Sequence, residues 1–413
     1  MARHFPDLLE AYLQWVQNHE GSKLIHKWSM LSVMGAALER RVWISRGFYN
    51  LYPNLYVFIV GRSGVVKKSS TTNIAVKLLR ELPNIHIMSE RLTASALIDQ
   101  ISMSKKVFEH EDIQKIQTPI FCYAPELIVF IKEVFGSITE LLTTFYDSPD
   151  VWSYKTRHQG EIIMKGVCLS ILGATTKEWL ERGISETEMN AGFAGRVIFV
   201  VENNAPERWI AWPKPPENSD YIRQCLVEDL ADIYEMTGEF KIDKEAYDEF
   251  ERWYCDYMTK HEADRSTLGA RMGGYKSRKG EMALRIAMIK SASEGRSFLI
   301  TKRHFDWAMQ ELDALDPAMK SIYQDSYMTA TQKLANSQYT PQAIQSDRRR
   351  SRFESILDFI KRKGAVSRLE LNERFKLLEA REIKTTIDSM VKAEVLQQVD
   401  RNGIIMYEPK PEN

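Results

Sequence analysis

Apolar residues near the start of the chain recur at helical spacing. Leu8, Leu9, Tyr12, Leu13 and Val16 fall on one face, which predicts an N-terminal helical segment over residues 1–50. The pattern then changes. Residues 55–60 (LYVFIV) form an unbroken apolar run, the mark of a strand buried on both faces. It leads directly into GRSGVVKKSS and then a helical run over residues 71–82. Strand, glycine-bearing loop and helix in that order open an α/β unit. Further apolar runs follow at residues 120–123, after a charged stretch at 104–117, and at 167–172 and 196–201. Helical segments separate most of them, so the pattern predicts a mainly parallel sheet and an α/β fold class.

The Pro-rich WPKPPENS at residues 212–219 reads as a boundary that closes a core domain over 51–211. Residues 220–335 then read as helical throughout, with helices at 278–293 and 302–315 forming a helical lid over 212–335. A polar linker is expected at 336–347, and beyond it a compact unit over 348–413. In that unit a helix at 349–362, a turn at Gly364, two more helices and the hairpin VLQQVD-RNG-IIMYEP make a winged-helix pattern.

Composition narrows this picture only modestly. Lys plus Arg equals Asp plus Glu, 56 against 56, so no global basic field announces a nucleic-acid partner, and local patches decide phosphate contact. The 348–413 unit and its approach are mildly basic, with 15 basic against 12 acidic side chains over residues 341–413. Four cysteines without a close pair argue against a disulfide framework or a zinc site and fit a reducing cytoplasm. The opening MARHFPDLLEAYLQW lacks a signal-peptide core, and no apolar run approaches the ~18 residues of a membrane span.

The strongest candidate chemistry lies in Gly61, Arg62, Ser63, Gly64, Val65, Val66, Lys67, Lys68, Ser69 and Ser70. A nucleotide-binding P-loop needs glycines that let backbone N–H groups face phosphates. It also needs a lysine for the β- and γ-phosphates, followed at once by a hydroxyl for Mg²⁺. Of the two lysines only Lys68 precedes a hydroxyl, so Lys68 and Ser69 take those roles and Lys67 is a neighbour able to reach phosphate. In this register the loop is one residue longer than GxxxxGK[ST], and the glycine ahead of the lysine is missing. A lysine-rich turn that merely caps a helix is the plain alternative. An ATPase also needs an acid beyond a neighbouring strand to polarise water, and IFCYAPEL supplies Glu126, with Pro125 where a second acid is usual. Glu126 could equally be a solvated carboxylate at a loop end.

The order of LYPNLYVFIVGRSG, APELIVFI, FYDSPDVWSYKTRHQG, LSILGATTKEWL and GFAGRVIFV resembles the phage- and plasmid-borne AAA+ proteins catalogued as a domain of unknown function, relatives of the MCM replicative helicases. The resemblance spans residues 25–201, and the helical stretch after it fits as well. It implies an AAA+ P-loop core binding ATP and Mg²⁺, with Thr176, beside Thr175, as the sensor-1 residue in place of an asparagine. It further implies Arg196 as an arginine finger and Arg278 as sensor 2, in a helix carrying Glu281 and Arg285 at the family spacing. Apart from the resemblance, Arg196 heads an apolar strand, where its charge needs either an anion or a structural salt bridge.

Residues 151–166 (VWSYKTRHQGEIIMKG) have the shape of a β-hairpin, with HQG at its tip. Lys155, Arg157, His158 and Lys165 suit DNA phosphate contact, and the resemblance places such a hairpin in the central channel of a ring. A solvated surface hairpin is the alternative. Taken together, the expectation is an ATP-dependent MCM-like helicase or translocase. It would assemble as a hexamer and act on single-stranded or forked DNA of a mobile element. The competing expectation is an AAA+ initiator, loader or switch that binds ATP and DNA with little hydrolysis.

Overall fold

The structure is a computed structural model. It describes residues 3–88, 94–127, 138–156, 160–177, 180, 192–206, 209–264, 266–335, 356–357, 359–375, 380–392, 395–401 and 404–410. Two compact units divide the chain, residues 1–329 and 330–413.

The first unit begins with α1 (Leu8–Trp15), whose N-terminal N–H groups are accepted by the Asp7 carboxylate. In α2 (Lys23–Leu38), residues 28–38 are all buried, so this helix is a core element and not a surface one. The remainder of the expected N-terminal helical segment is not helical. It holds β1 (Val42–Ser45) and β2 (Asn50–Leu51), an antiparallel pair.

Next come β3 (Tyr56–Gly61), α3 (Lys68–Arg80), β4 (Ile87–Met88) and α4 (Ala94–Met103). Then follow β5 (Lys106–His110), β6 (Ile113–Ala124), α5 (Ile138–Tyr146), β7 (Val151–Thr156), β8 (Gly160–Lys165), β9 (Val167–Thr175) and β10 (Val197–Glu202). Five strands pair in parallel in the order β10-β3-β9-β6-β4. The fold is therefore mixed α/β around a parallel sheet, as the apolar runs predict. β3 and β9 are buried along their whole length, which is why they read as unbroken apolar runs. The charged stretch at 104–117 holds β5 and the first half of β6, which form an antiparallel hairpin that is partly exposed and mixes polar with apolar residues.

After the sheet come α6 (Ser219–Tyr234), α7 (Lys244–Ala263), α8 (Thr267–Arg271), α9 (Gly273–Glu294) and α10 (Lys302–Ala335). The reading of 220–335 as wholly helical needs correction. Short strands β11 (Gly238–Glu239), β12 (Lys241–Ile242) and β13 (Leu299–Ile300) interrupt it, and β11 pairs with β1. One apolar core runs from Leu8 through the sheet to Tyr323, so the N-terminal segment and the helices after the sheet share it. Asp7 makes the junction explicit, accepting from Lys290 and from Ser293 of α9.

The second unit has its own core of Ile356, Ile360, Val366, Leu371, Ile383, Ile387, Met390, Leu396 and Tyr407. Strand β14 (Val366–Ser367) precedes α11 (Arg368–Arg374), where Ser367 and Glu370 form a reciprocal cap. Helix α12 (Ala380–Lys392) and the antiparallel strands β15 (Leu396–Arg401) and β16 (Ile404–Pro409) complete it, with β14 pairing to β16. The expected linker at 336–347 lies outside the described residues. Among the described residues no helix is long and apolar enough to cross a membrane.

Candidate functional site

The loop between β3 and α3 is shaped by close approach. A Cβ on Gly61 would stand 2.6 Å from the Glu202 carbonyl oxygen and 2.7 Å from a Val66 methyl, so only glycine lets the loop fold back on β10 there. Gly64 then turns through φ +72°. Lys67 also takes a left-handed conformation, φ 51°, which costs a non-glycine residue about 1 kcal/mol. That second turn absorbs the extra residue of the loop, and α3 begins at Lys68 with no side-chain cap on its N-terminus.

The two lysines consequently diverge. Lys68 Nζ curls back over the loop and donates to the carbonyls of Gly61, at 2.6 Å, and Arg62, at 3.2 Å. Lys67 Nζ points the other way, 3.5 Å from the Glu20 carboxylate and 5.8 Å from the Trp209 ring centre. Ser69 Oγ donates to the Pro125 carbonyl at 3.3 Å, and the Tyr123 hydroxyl lies 2.9 Å from Thr72 Oγ1. These contacts hold the first turn of α3 against the end of β6, where Glu126 is exposed.

Glu126 does not follow a strand adjacent to β3. Strand β9 lies between β3 and β6, and its last residue, Thr175, registers with Val60. Thr176, half-buried, therefore stands between the loop on one side and Glu126 on the other. The loop, Thr176 and Glu126 share one edge of the sheet, formed by the carboxyl ends of its parallel strands.

The candidate arginines lie at the opposite edge. Arg196 does not begin the strand; it ends a short 3₁₀ turn just ahead of β10. Val197 registers with Tyr56 while Glu202 registers with Gly61, which separates Arg196 from the loop by about 20 Å of extended chain. Arg196 is only 6% exposed. It donates to Asp147 at 2.9 Å and to the Gly192 carbonyl at 2.9 Å, so its charge is met by a salt bridge. Arg278 is nearby and half-buried. Burial, and then the positive charge of Arg196, lower its pKa from the usual guanidinium value. Arg285 is buried, donates to the carbonyls of Asn54 and Tyr146, and lies 4.4 Å over the Tyr146 ring centre. Glu281 accepts from Tyr49 at 2.9 Å and pairs with Arg46.

In the β7–β8 hairpin, Lys155 sits opposite Glu161 and Lys165 opposite Val151, both lysines exposed. Arg157 and His158, at the expected tip, lie outside the described residues. Exposed apolar groups, Val151, Tyr154 and Ile163, accompany the lysines, and Trp152 and Tyr154 stack along β7.

Two features escape a linear reading because their walls come from separate segments. One is a groove of about 410 Å³ at the base of the hairpin, with Arg40, Trp43, Tyr52, Lys115 and Lys165 among its lining. The other is a cleft of about 640 Å³ beside the β3–α3 loop, walled by Val66, Glu202 and the turn between α1 and α2. No family model and no curated protein matches the chain.

Proposed function

We propose that the protein is an ATP-driven AAA+ motor of the MCM-like kind, in which a ring of identical subunits, a hexamer, moves on DNA. The 348–413 unit is read as a winged helix appended to that motor. One observation carries the reading. The loop with Lys68 and Ser69, the Thr176 hydroxyl and the Glu126 carboxylate lie along one edge of the sheet, and two arginines lie about 20 Å away at the other. Such a set cannot close on one nucleotide within one chain, whereas two neighbouring subunits can complete it.

In this reading the uncapped amides of α3 and the Lys68 ammonium hold the β- and γ-phosphates. Among the described residues there is no cluster of three metal-ligating side chains, which suits an ion held mainly by phosphate oxygens with one protein hydroxyl, Ser69. Bound there, Mg²⁺ would offset phosphate charge. Glu126 orients and deprotonates the attacking water, and Thr176 hydrogen-bonds within the same edge. Arg278, which makes no ion pair among the described residues, faces the neighbour's nucleotide. Arg196 joins it by exchanging Asp147 for phosphate when subunits meet. Lys155 and Lys165, with Arg157 and His158, grip the DNA backbone.

A second reading has its own observation. Pro125 stands where an acid would help hold the metal, and Arg196 is already committed to Asp147. Both favour an initiator, loader or switch that binds ATP and turns it over slowly. The deciding measurement is steady-state ATPase rate with and without single-stranded and forked DNA, alongside a Lys68→Ala control. DNA-stimulated turnover that vanishes in the control supports the motor. Tight ATP binding without turnover supports the switch, and no binding in the wild type removes both.

A further inference from the structure

At the amino edge of the sheet, polar atoms are buried without partners. The Tyr146 hydroxyl is inaccessible and makes no hydrogen bond among the described residues, and the Nε–H of Arg196 is in the same state. The Arg196 guanidinium lies 5.9 Å from the Tyr146 ring centre. A buried polar atom without a partner is costly, so two in one cluster call for a physical reason. The two are complementary: the guanidinium N–H can only donate, and a phenol oxygen can accept. Arg196 spends Nη1 on the Gly192 carbonyl and Nη2 on the Asp147 carboxylate, which leaves Nε over. Tyr146 and Asp147 are consecutive, at the end of α5, yet the hydroxyl is buried while the Asp147 side chain is 58% exposed.

Tyr146 is a fixed post. Its carbonyl accepts from Asn54 Nδ2 at 2.9 Å and from Arg285 at 3.3 Å. Its ring meets Tyr56 edge-on with 5.1 Å between centres, and the Arg285 guanidinium covers it at 4.4 Å. Burial, foremost, raises the pKa of the hydroxyl from the usual phenol value; the charges that act on it are Arg285, Glu281, Arg196 and Arg278. A neutral hydroxyl therefore sits among the arginines of this edge. The backbone under Arg196 is equally fixed. A Cβ on Gly195 would fall 2.4 Å from the Gly274 carbonyl carbon, so the turn before β10 is pressed on the start of α9. What can turn there is the Arg196 side chain.

We infer that Tyr146 is a positioning residue for Arg196: its hydroxyl accepts the Arg196 Nε–H when the guanidinium turns from Asp147 to a phosphate on the neighbouring subunit. The inference rests on the shared-site reading of Arg196. In the resting subunit Asp147 holds Nη2 and the hydroxyl stands open. After the exchange both unpartnered atoms are satisfied at once, which offsets part of the loss of Asp147. The new bond also fixes the angle at which the guanidinium meets the phosphate, because Tyr146 itself is held by Asn54, Tyr56 and Arg285.

Single-turnover ATP hydrolysis and urea unfolding of the full chain separate this role from a structural one. Tyr146→Phe should lower the hydrolysis rate about tenfold, the scale of one hydrogen bond, and leave ATP affinity within about twofold. Because the hydroxyl is unpartnered at rest, the urea midpoint of the nucleotide-free variant should hold or rise. Tyr56→Phe is the structural contrast. Its hydroxyl donates to the Leu142 carbonyl at 2.8 Å, so its midpoint should fall while the rate stays within about twofold. In an Arg196→Ala background, Tyr146→Phe should have no further effect, since the hydroxyl acts through that side chain. A wild-type rate in Tyr146→Phe overturns the inference, and so does a lowered midpoint. An equal loss with and without Arg196 overturns it too, by showing that the hydroxyl acts independently. If Arg196→Ala alone hydrolyses ATP at the wild-type rate, the shared site itself fails, a result visible without any Tyr146 variant. A wild type that hydrolyses no ATP removes both.

Discussion

The two edges of the parallel sheet are built on opposite principles. At the carboxyl edge, Lys68 donates to two backbone carbonyls, Ser69 donates to one at 3.3 Å, and Glu126 is exposed. At the amino edge, Arg196 and Arg285 are nearly inaccessible and bonded to Asp147, Gly192, Asn54 and Tyr146. Backbone carbonyls can be surrendered to an incoming ligand at little cost, because water or the ligand replaces them. A buried guanidinium cannot leave its carboxylate without a new anion. The carboxyl edge therefore suits binding by one subunit acting alone. The amino edge can exchange partners only when something negatively charged is delivered to it, which is what a neighbour's nucleotide would do.

Variants can break or sharpen that contrast. The largest effect is expected from Arg196→Ala, which should spare ATP binding and lower turnover by about 10³, the scale of an arginine finger. Mixing Arg196→Ala with Lys68→Ala subunits should restore ATPase activity from two inactive preparations, because some interfaces then hold both residues. A mixture that stays inactive, although mixed oligomers form, removes the shared site. Glu126→Gln should bind ATP normally and hydrolyse it about 100-fold more slowly in single-turnover assays. Full turnover would take Glu126 off the carboxyl edge's chemistry.

Stability should separate the edges as well. Asp147→Ala leaves the Arg196 charge buried and should cost about 2 kcal/mol in urea unfolding, while Ser69→Ala should stay within about 0.5 kcal/mol. Equal costs would erase the distinction. A pH effect is expected from buried His26, on the carboxyl side. His26 takes up a proton only near pH 3 when folded but near pH 6.5 when unfolded, so between these values the unfolded chain binds more protons. Its contribution is present in full above about pH 6.5 and is lost as pH falls towards 3, by at most about 1.4 kcal/mol per pH unit. His26→Gln should flatten that slope in thermal melts; an unchanged slope would assign it to other groups. The smallest effect is Lys67→Gly, which relieves a left-handed lysine and should raise stability by up to about 1 kcal/mol in the same urea experiment.

Much of the sheet was legible because β3 and β9 are buried on both faces, and burial on both faces writes an unbroken apolar run. The preference for Lys68 over Lys67 rested on the hydroxyl that follows it, and the structure turns the two ammonium groups in opposite directions. Strand order was not legible, since nothing in the local pattern tells that β9 would come between β3 and β6. The β5–β6 hairpin was hidden by its own exposure, which makes half its residues polar. The partner of Arg196 lies 49 residues upstream. The partners of His26, Tyr12 and His19, likewise depend on tertiary packing.

The left-handed turn at Lys67 bears on kinship. The β3–α3 loop holds Lys68 over the Gly61 carbonyl and passes through a left-handed Lys67 where the helix starts. On the proposed phosphate-binding reading, insertion and glycine replacement would be one change: the glycine's place ahead of the lysine is filled by Lys67 with a left-handed backbone angle. Relatives that share this solution would diverge from the consensus spacing while preserving the path of the chain. Their common ancestry would be written in the backbone trace around α3, and a pattern of letters would pass it by.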